Sequence, residues 1–278
     1  MTHSSPPIET AASTTATWQW HESSAYLTCS LLADFAHGFW SRQAYPQTPF
    51  ELTSHLFPSA TPYRTKQIHS AIVVDCENLD PVAESQTSRF VEADGIIGAA
   101  GDRALWTCSA DCTPVAIGDV RTGAASAIHS GWRGTAARIV PEAIAQLEAR
   151  GSKREDLRFA LGPAIGGAVY QVSQEVAAQV VSTLVGLGAN EVEAIVERVG
   201  FADRDRPESP LLSDPDPSKA RLDVRRTIVG QLRQLGITAG AIAIAPHCTF
   251  QEPDRFFSYR RTGEKFVQWS GIVTGLRS

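Results

Sequence analysis

Three residues carry types that could do chemistry together. His69 follows Gln67-Ile68, Cys112 follows Asp111, and His129 runs directly into Ser130 and Gly131-Trp132-Arg133-Gly134. Two imidazoles and a thiolate form a ligand set that suits Zn²⁺ or copper. Three protein ligands leave a fourth position open, as in catalytic rather than structural zinc sites. The same residues also allow metal-free chemistry, with Cys112 as nucleophile and His129 as its base. Only the fold can bring the distant His69 to Cys112, and a hydrogen-bonded structural histidine is the rival reading for each imidazole. Cys108 lies four positions before Cys112. In an extended segment their Cα atoms stand about 13 Å apart, too far for two ligands of one ion with Zn–S near ~2.3 Å. Cys108 is read as core packing unless the chain bends sharply at Ala110-Asp111.

Around these residues lie groups that could serve a substrate. Gly131-Trp132-Arg133-Gly134 joins a strand-like run to a helix-like one. A helix start there would offer free N–H groups to an anion, and Arg133 would add a charged, bidentate donor. Gly131 and Gly134 are small enough to let a ligand approach the backbone. The rival reading is a tight turn with a surface arginine. Asp111 and Asp94 are candidate acids or orienters, and Asp111, beside Cys112, could instead accept a hydrogen bond behind a ligand. Gly162-Pro163-Ala164-Ile165-Gly166-Gly167 is a second Gly-rich connection, but it is neither a Walker A loop nor GxGxxG.

The elements that must position these groups are legible as alternating runs. WQWHE and AYLTCSLL, between Thr17 and Leu32, read as two strands, followed by one over His37 to Ser41. Ile68 to Asp75 reads as a strand and Glu77 to Ser88 as loop. Ala104 to Ser109, Val115 to Val120 and Ala124 to His129 are three strand-like runs, with a turn at Arg121-Thr122-Gly123. Ala136, Ile139, Val140, Ala143, Ile144 and Leu147 recur at helical spacing up to Gly151, with Pro141 as a possible kink. Leu157 to Leu161 is a strand, a helix starts near the N-cap Ser173, and Asp203 to Ala220 is an exposed loop. Arg221 to Leu235 is an amphipathic helix ended by Gly236. Ala241 to Ala245, Phe256 to Arg260 and Phe266 to Val273 are strands. Strand groups with helices between them imply an α/β or α+β chain.

Composition sets limits. At 278 residues, 43% hydrophobic and 20% charged, the chain is ordinary globular material. Net charge is -5, with no Lys/Arg block, which gives no support to a nucleic-acid or anionic-membrane surface. No apolar run approaches the roughly 18 residues of a membrane span. The Ser/Thr/Ala/Pro-rich start lacks a signal-peptide pattern, so residues 1–16 are expected as a disordered tail and 17–278 as one catalytic domain in the cytoplasm. Five cysteines at irregular spacing fit reduced thiols.

The segments KQIHS, EADGIIG, SADCTPVAIGD, AIHSGWRGTAARIV, LGPAIGGAVYQVSQEV, ARLDVRRTIVGQLRQLGI, HCTF and FFSYRR occur in that order between about His37 and Arg261. On these the chain resembles the laccase-domain or YfiH-type family, known for purine nucleoside phosphorylase and adenosine deaminase activities and formerly called multicopper polyphenol oxidases. The resemblance implies an α/β fold, a single-domain αββα-type sandwich with mixed sheet, likened to Cys-hydrolase toxins. It implies zinc, with copper as the older alternative, at His69, Cys112 and His129. It implies phosphorolysis of adenosine, inosine or methylthioadenosine, adenosine deamination, or peptidoglycan-precursor editing, so purine nucleoside and phosphate are the expected partners.

The chain also departs from the family pattern. Ser41-Arg42 matches the end of the family's first strand motif, which implies a substrate-facing Arg42, but Gln43-Ala44-Tyr45-Pro46 replaces its Gly-Gly loop and SLN motif. Ala164 replaces the cysteine of GPCIG, and Glu264-Lys265-Phe266-Val267 replaces the GRMA-like ending. A copper oxidase fits poorly: Met1 is the only methionine, and seven histidines are too few for a further trinuclear cluster. The remaining alternatives are a metal-free Cys–His hydrolase and a non-catalytic binding protein.

Overall fold

The protein is described from a computed structural model, which covers residues 16–21, 23, 25–83, 90–185 and 209–277. The expected tail, apart from Ala16, and parts of the loops expected at 77–88 and 203–220 lie outside the described residues. The strands begin with β1 (Trp18–His21), β2 (Tyr26–Cys29), β3 (His37–Trp40), β4 (Thr61–Arg64) and β5 (Val73–Asp75). They continue with β6 (Gly95–Gly98), β7 (Arg103–Ser109), β8 (Thr113–Asp119), β9 (Ala125–Ser130) and β10 (Leu157–Leu161). The last are β11 (Gln171–Ser173), β12 (Leu211–Leu212), β13 (Lys219–Leu222), β14 (Ile242–Ile244) and β15 (Gln268–Val273). The helices are α1 (Pro49–Leu56), α2 (Trp132–Ala136), α3 (Ile139–Ala149), α4 (Gln174–Val185), α5 (Val224–Gln234) and α6 (Tyr259–Thr262).

Two mixed six-stranded sheets face each other, in the orders β1-β2-β3-β15-β7-β4 and β14-β10-β8-β9-β6-β5, and β11-β13-β12 form a small third sheet. The period-2 rule explains the layers. In β8, Val115 and Ile117 point towards the helices and Ala116 towards the other sheet; in β9, Ile128 and Ala127 divide in the same way. Leu27, Phe35, Phe39, Ile96, Leu105 and Ile272 fill the space between the sheets. Trp40, Trp106, Leu52 and Leu56 bury the outer face of the first sheet under α1. Ile139, Ile144, Leu147, Val181, Ile228 and Leu232 bury the outer face of the second under α3, α4 and α5. The result is helix, sheet, sheet, helix, as the resemblance implied. Central strands buried on both faces explain why β8 reads as a nearly continuous apolar run. No helix among the described residues is long and apolar enough to cross a membrane.

Several expectations are corrected. Of Ile68 to Asp75 only Val73–Asp75 is strand, because the N–H groups of residues 68–70 turn to a side chain instead of a neighbouring strand. The helix after Gly134 does not kink at Pro141. It breaks earlier, where Arg138 takes a left-handed conformation with φ 61°. Pro141 is the third residue of the new helix, where no intrahelical N–H bond is lost. Arg221 and Leu222 belong to β13, and the helix starts after Asp223, which accepts from the Arg226 N–H. Within the loop expected at 203–220, Leu211–Leu212 and residues from Lys219 onward pair as strands. Phe256 to Arg260 is not a strand, since Ser258 caps the short α6.

His37 is fully built into the core. Its Nε2 accepts from the Cys29 N–H at 2.8 Å and its Nδ1 donates to the Phe35 carbonyl at 3.0 Å. Burial, the main cause, pushes its pKa down to about 4. An unfolded histidine protonates near pH ~6.5, so between these values the unfolded chain binds the extra proton. Stability is therefore complete above about pH 6.5 and declines as pH falls towards 4, by up to roughly 3 kcal/mol. Urea denaturation at pH 7 and pH 4.5 should show a smaller acid-induced loss in His37→Gln than in the parent chain. Equal losses would place the acid sensitivity elsewhere.

Candidate metal centre

Strand register builds the site. Pairing of Thr113 with Ser130 sets Cys112, just before β8, beside Gly131, just after β9. Pairing of Gly95 with Ile128 sets Asp94 beside His129, and the His129 N–H donates to the Asp94 carbonyl at 2.7 Å. His129 shares its face of β9 with Ala125 and Ala127, which pack between the sheets. His69 arrives on the loop before β5, exposed and left-handed with φ 62°. The ligand atoms of His69, Cys112 and His129 lie within 4.8 Å of one another. The three residues singled out in the sequence thus converge, although His69 sits in a loop and not at a strand end.

Asp94 organises this convergence. Its Oδ1 accepts from His129 Nδ1 at 2.9 Å and from the His69 N–H at 2.9 Å. Its Oδ2 accepts from the Ile68 N–H, the Ser70 N–H and the Ser70 hydroxyl at 3.2, 2.6 and 2.8 Å. Burial pushes the carboxyl up, but the bonds from His129 and Ser70 outweigh it and hold the pKa at about 2. With Nδ1 committed to Asp94, the other nitrogen of His129 faces Cys112. Burial opposes charge on both partners, yet their mutual attraction wins: the Cys112 thiol is held below its ordinary range and His129 is raised, with Asp94 reinforcing the imidazolium.

The surrounding residues divide by what they touch. A Cβ on Gly131 would stand 2.7 Å from Cys112 Sγ and 3.4 Å from His69, so only glycine admits the thiolate there. Gly134 faces the Ser70 carbonyl. Asp111, with φ 89°, bends the chain between Cys108 and Cys112. Its carboxylate is fully occupied, accepting from the Thr249 hydroxyl and the Arg260 N–H, both at 2.7 Å. Cys108 stays outside the triangle despite that bend. Arg133 is exposed and stacks on Trp132 at 4.3 Å. Its helix is a single five-residue turn, which carries little dipole, so the expected helix-start contribution falls away and the guanidinium remains. Arg42 donates to the Pro253 carbonyl at 2.7 Å and lies over Phe257 at 4.7 Å; the structure does not bring it into the triangle.

Sequence reasoning missed Tyr170, whose phenol is pushed up to about 12 by burial and then by Cys112 and Asp111. It missed Gln67 as well, which clamps both the N–H and the carbonyl of Cys108 at 2.8 and 2.7 Å. The position of Gln67, two residues before His69, was the available signal.

The residues fit a metal ion by their own chemistry. A thiolate and two imidazoles converge, and His129 is backed by a carboxylate in the manner of metal-ligating histidines. This is the one such His/Cys/Asp/Glu cluster among the described residues. His21, His37 and His247 are hydrogen-bonded elsewhere.

Comparison with known proteins accords with this geometry. The sequence profile described as "Multi-copper polyphenol oxidoreductase laccase" matches residues 51–274. A Synechocystis protein named purine nucleoside phosphorylase is 46% identical over 259 residues, 92% of this chain and 96% of that protein. A purine nucleoside phosphorylase of Deinococcus radiodurans is 30% identical, over 75% of this chain and 68% of that one. The fold matches YlmD from Geobacillus stearothermophilus with TM-score 0.71 at 22% identity, covering 93% of this chain and 98% of that one. It matches YfiH of Bacillus licheniformis with TM-score 0.71 at 19% identity, covering 91% and 97%. The chain belongs to the laccase-domain, or YfiH-type, family.

Proposed function

We propose that this chain is a zinc enzyme that cleaves purine nucleosides by phosphorolysis. The observation that carries the reading is the His69–Cys112–His129 triangle fixed by Asp94, in a chain 46% identical to a protein named purine nucleoside phosphorylase. Bound zinc supplies Lewis-acid polarisation of a ligand oxygen or nitrogen. In phosphorolysis a phosphate oxygen bonds to C1′ of the ribose as the C1′–N9 bond breaks. The electron pair of that bond passes into the purine, which leaves with a proton. The chain's own residues prepare for this. Asp94 orients His129, Gly131 keeps the thiolate accessible, and Arg133 on the rim holds phosphate. Asp111 is a positioning residue, because both its oxygens serve to seat Thr249 and Arg260.

A second reading rests on one specific observation, the line Asp94–His129–Cys112. Without a metal, that line is an orienting carboxylate, a base and an activated thiol. The two readings separate cleanly: a chelator abolishes activity in the zinc enzyme, whereas only alkylation abolishes it in the thiol hydrolase.

Metal analysis of the purified protein should find one zinc per chain. Cys112→Ala and His129→Ala should retain less than a tenth of it, whereas Cys248→Ala should keep it. Gly131→Ala should weaken zinc binding at least tenfold in a chelator competition, because its methyl group collides with the Cys112 sulfur. Unchanged metal content in Cys112→Ala would remove the assignment.

Adenosine, inosine and methylthioadenosine, incubated with and without phosphate, separate phosphorolysis from deamination. Free base that appears only with phosphate supports the proposal. Arg133→Ala should raise the KM for phosphate roughly ten- to a hundredfold, the equivalent of losing about 1.5–3 kcal/mol of charged hydrogen bonding. Its melting temperature should hold. A lowered melting temperature with equal losses for every substrate would make Arg133 a structural residue.

A further inference from the structure

A second cation stands on the strand that leads into the His69 loop. Arg64 ends β4, paired with Trp106 of β7, while Trp269 of β15 pairs with Cys108. Strand alternation puts Arg64, Cys108 and Trp269 on the same face of the first sheet. The Arg64 guanidinium is held between two rings, 4.3 Å from the centroid of Phe90 and 4.8 Å from that of Trp269. Its Nε is buried without a hydrogen-bond partner. Among the described residues no carboxylate pairs with it, whereas neighbouring Lys66 is paired with Glu92 at 2.8 Å. Leaving a half-buried guanidinium without acceptors is costly, and such a group points to a ligand.

Cys108 links this cation to the metal centre. Cys108 lies within electrostatic reach of both Arg64 and Cys112, and Gln67, which clamps Cys108, precedes His69 by two residues. The walls are a phenyl ring, an indole and a thiol that burial keeps protonated. With two rings against it, the guanidinium offers its N–H edge to a ligand. That edge suits a neutral ring with two adjacent acceptors better than a phosphate dianion, which would draw a second cation.

We propose that Arg64, clamped by Phe90 and Trp269, reads the O6/N7 edge of a 6-oxopurine and so favours inosine and guanosine over adenosine. A donor-only fork matches O6 with N7, while adenine presents an amino donor at that position. The inference rests on the nucleoside reading of the neighbouring site.

The test compares kcat/KM for inosine and adenosine in the parent, Arg64→Met and Arg64→Lys. Methionine keeps bulk against the rings, and lysine keeps charge without the fork. Expected is a fall of at least tenfold in the inosine-to-adenosine ratio with Arg64→Met, which Arg64→Lys fails to restore. Equal losses for both nucleosides, a raised KM for phosphate, or full rescue by lysine would overturn the proposal. If the parent turns over no nucleoside, the nucleoside-cleavage reading fails, and binding alone decides this one. Saturable quenching of Trp269 fluorescence by inosine, assigned with Trp269→Phe and lost in Arg64→Met, would support it. No quenching in the parent would overturn it.

Discussion

A buried carboxylate with every acceptor direction in use is the constraint on which the site depends. Asp94 collects three backbone N–H groups, one hydroxyl and one imidazole. A charge taken out of water is tolerated only when its partners replace the lost hydration. Here the replacement is the loop that carries His69. The same bonds that solvate Asp94 hold His69 in its left-handed conformation, and one more fixes which nitrogen of His129 faces Cys112. Two of the three converging side chains thus owe their placement to one carboxylate that is not itself part of the triangle.

The scaffold supplies the third member of the triangle by geometry alone. Cys112 reaches the site because β8 and β9 are adjacent and antiparallel, and because Gly131 leaves room for sulfur. The fields then cooperate: a thiolate, an imidazolium and a carboxylate stand in sequence. Each is more charged than its burial would favour because its neighbour is charged too. That order suits a metal ion, and it equally suits an activated thiol–imidazole pair without one.

Much of this was legible in the sequence. The apolar runs of β7, β8 and β9 betrayed central strands because both faces are buried, and the QIH, ADC and HSGWRG segments marked the three residues that converge. What escaped notice depends on long-range bonds with no local period. Residues 68–72 look like strand because Ile72, Val73 and Val74 are β-branched, but Asp94, 24 to 26 residues away, captures the N–H groups of residues 68–70. Phe256 to Arg260 is aromatic enough for a strand, yet Asp111, 149 residues away, takes the Arg260 N–H. The break at Arg138 was hidden because Pro141 looked like the obvious interruption. Tyr170 and Arg64 gave no motif at all, since their environments are assembled from separate elements.

One feature of the topology bears on how the molecule comes into being. β15, late in sequence, is inserted between β3 and β7 in the middle of the first sheet. Until residues 268–273 have left the ribosome, β3 and β7 each present an unpaired edge, the kind of surface on which nascent chains pair wrongly. The Asp111 clamp also waits for late polypeptide, because its partners Thr249 and Arg260 lie in the segment that leads into β15. Before β15 and the segment ahead of it are in place, the chain has neither a closed first sheet nor, without Thr249 and Arg260, a seated Cys112 loop.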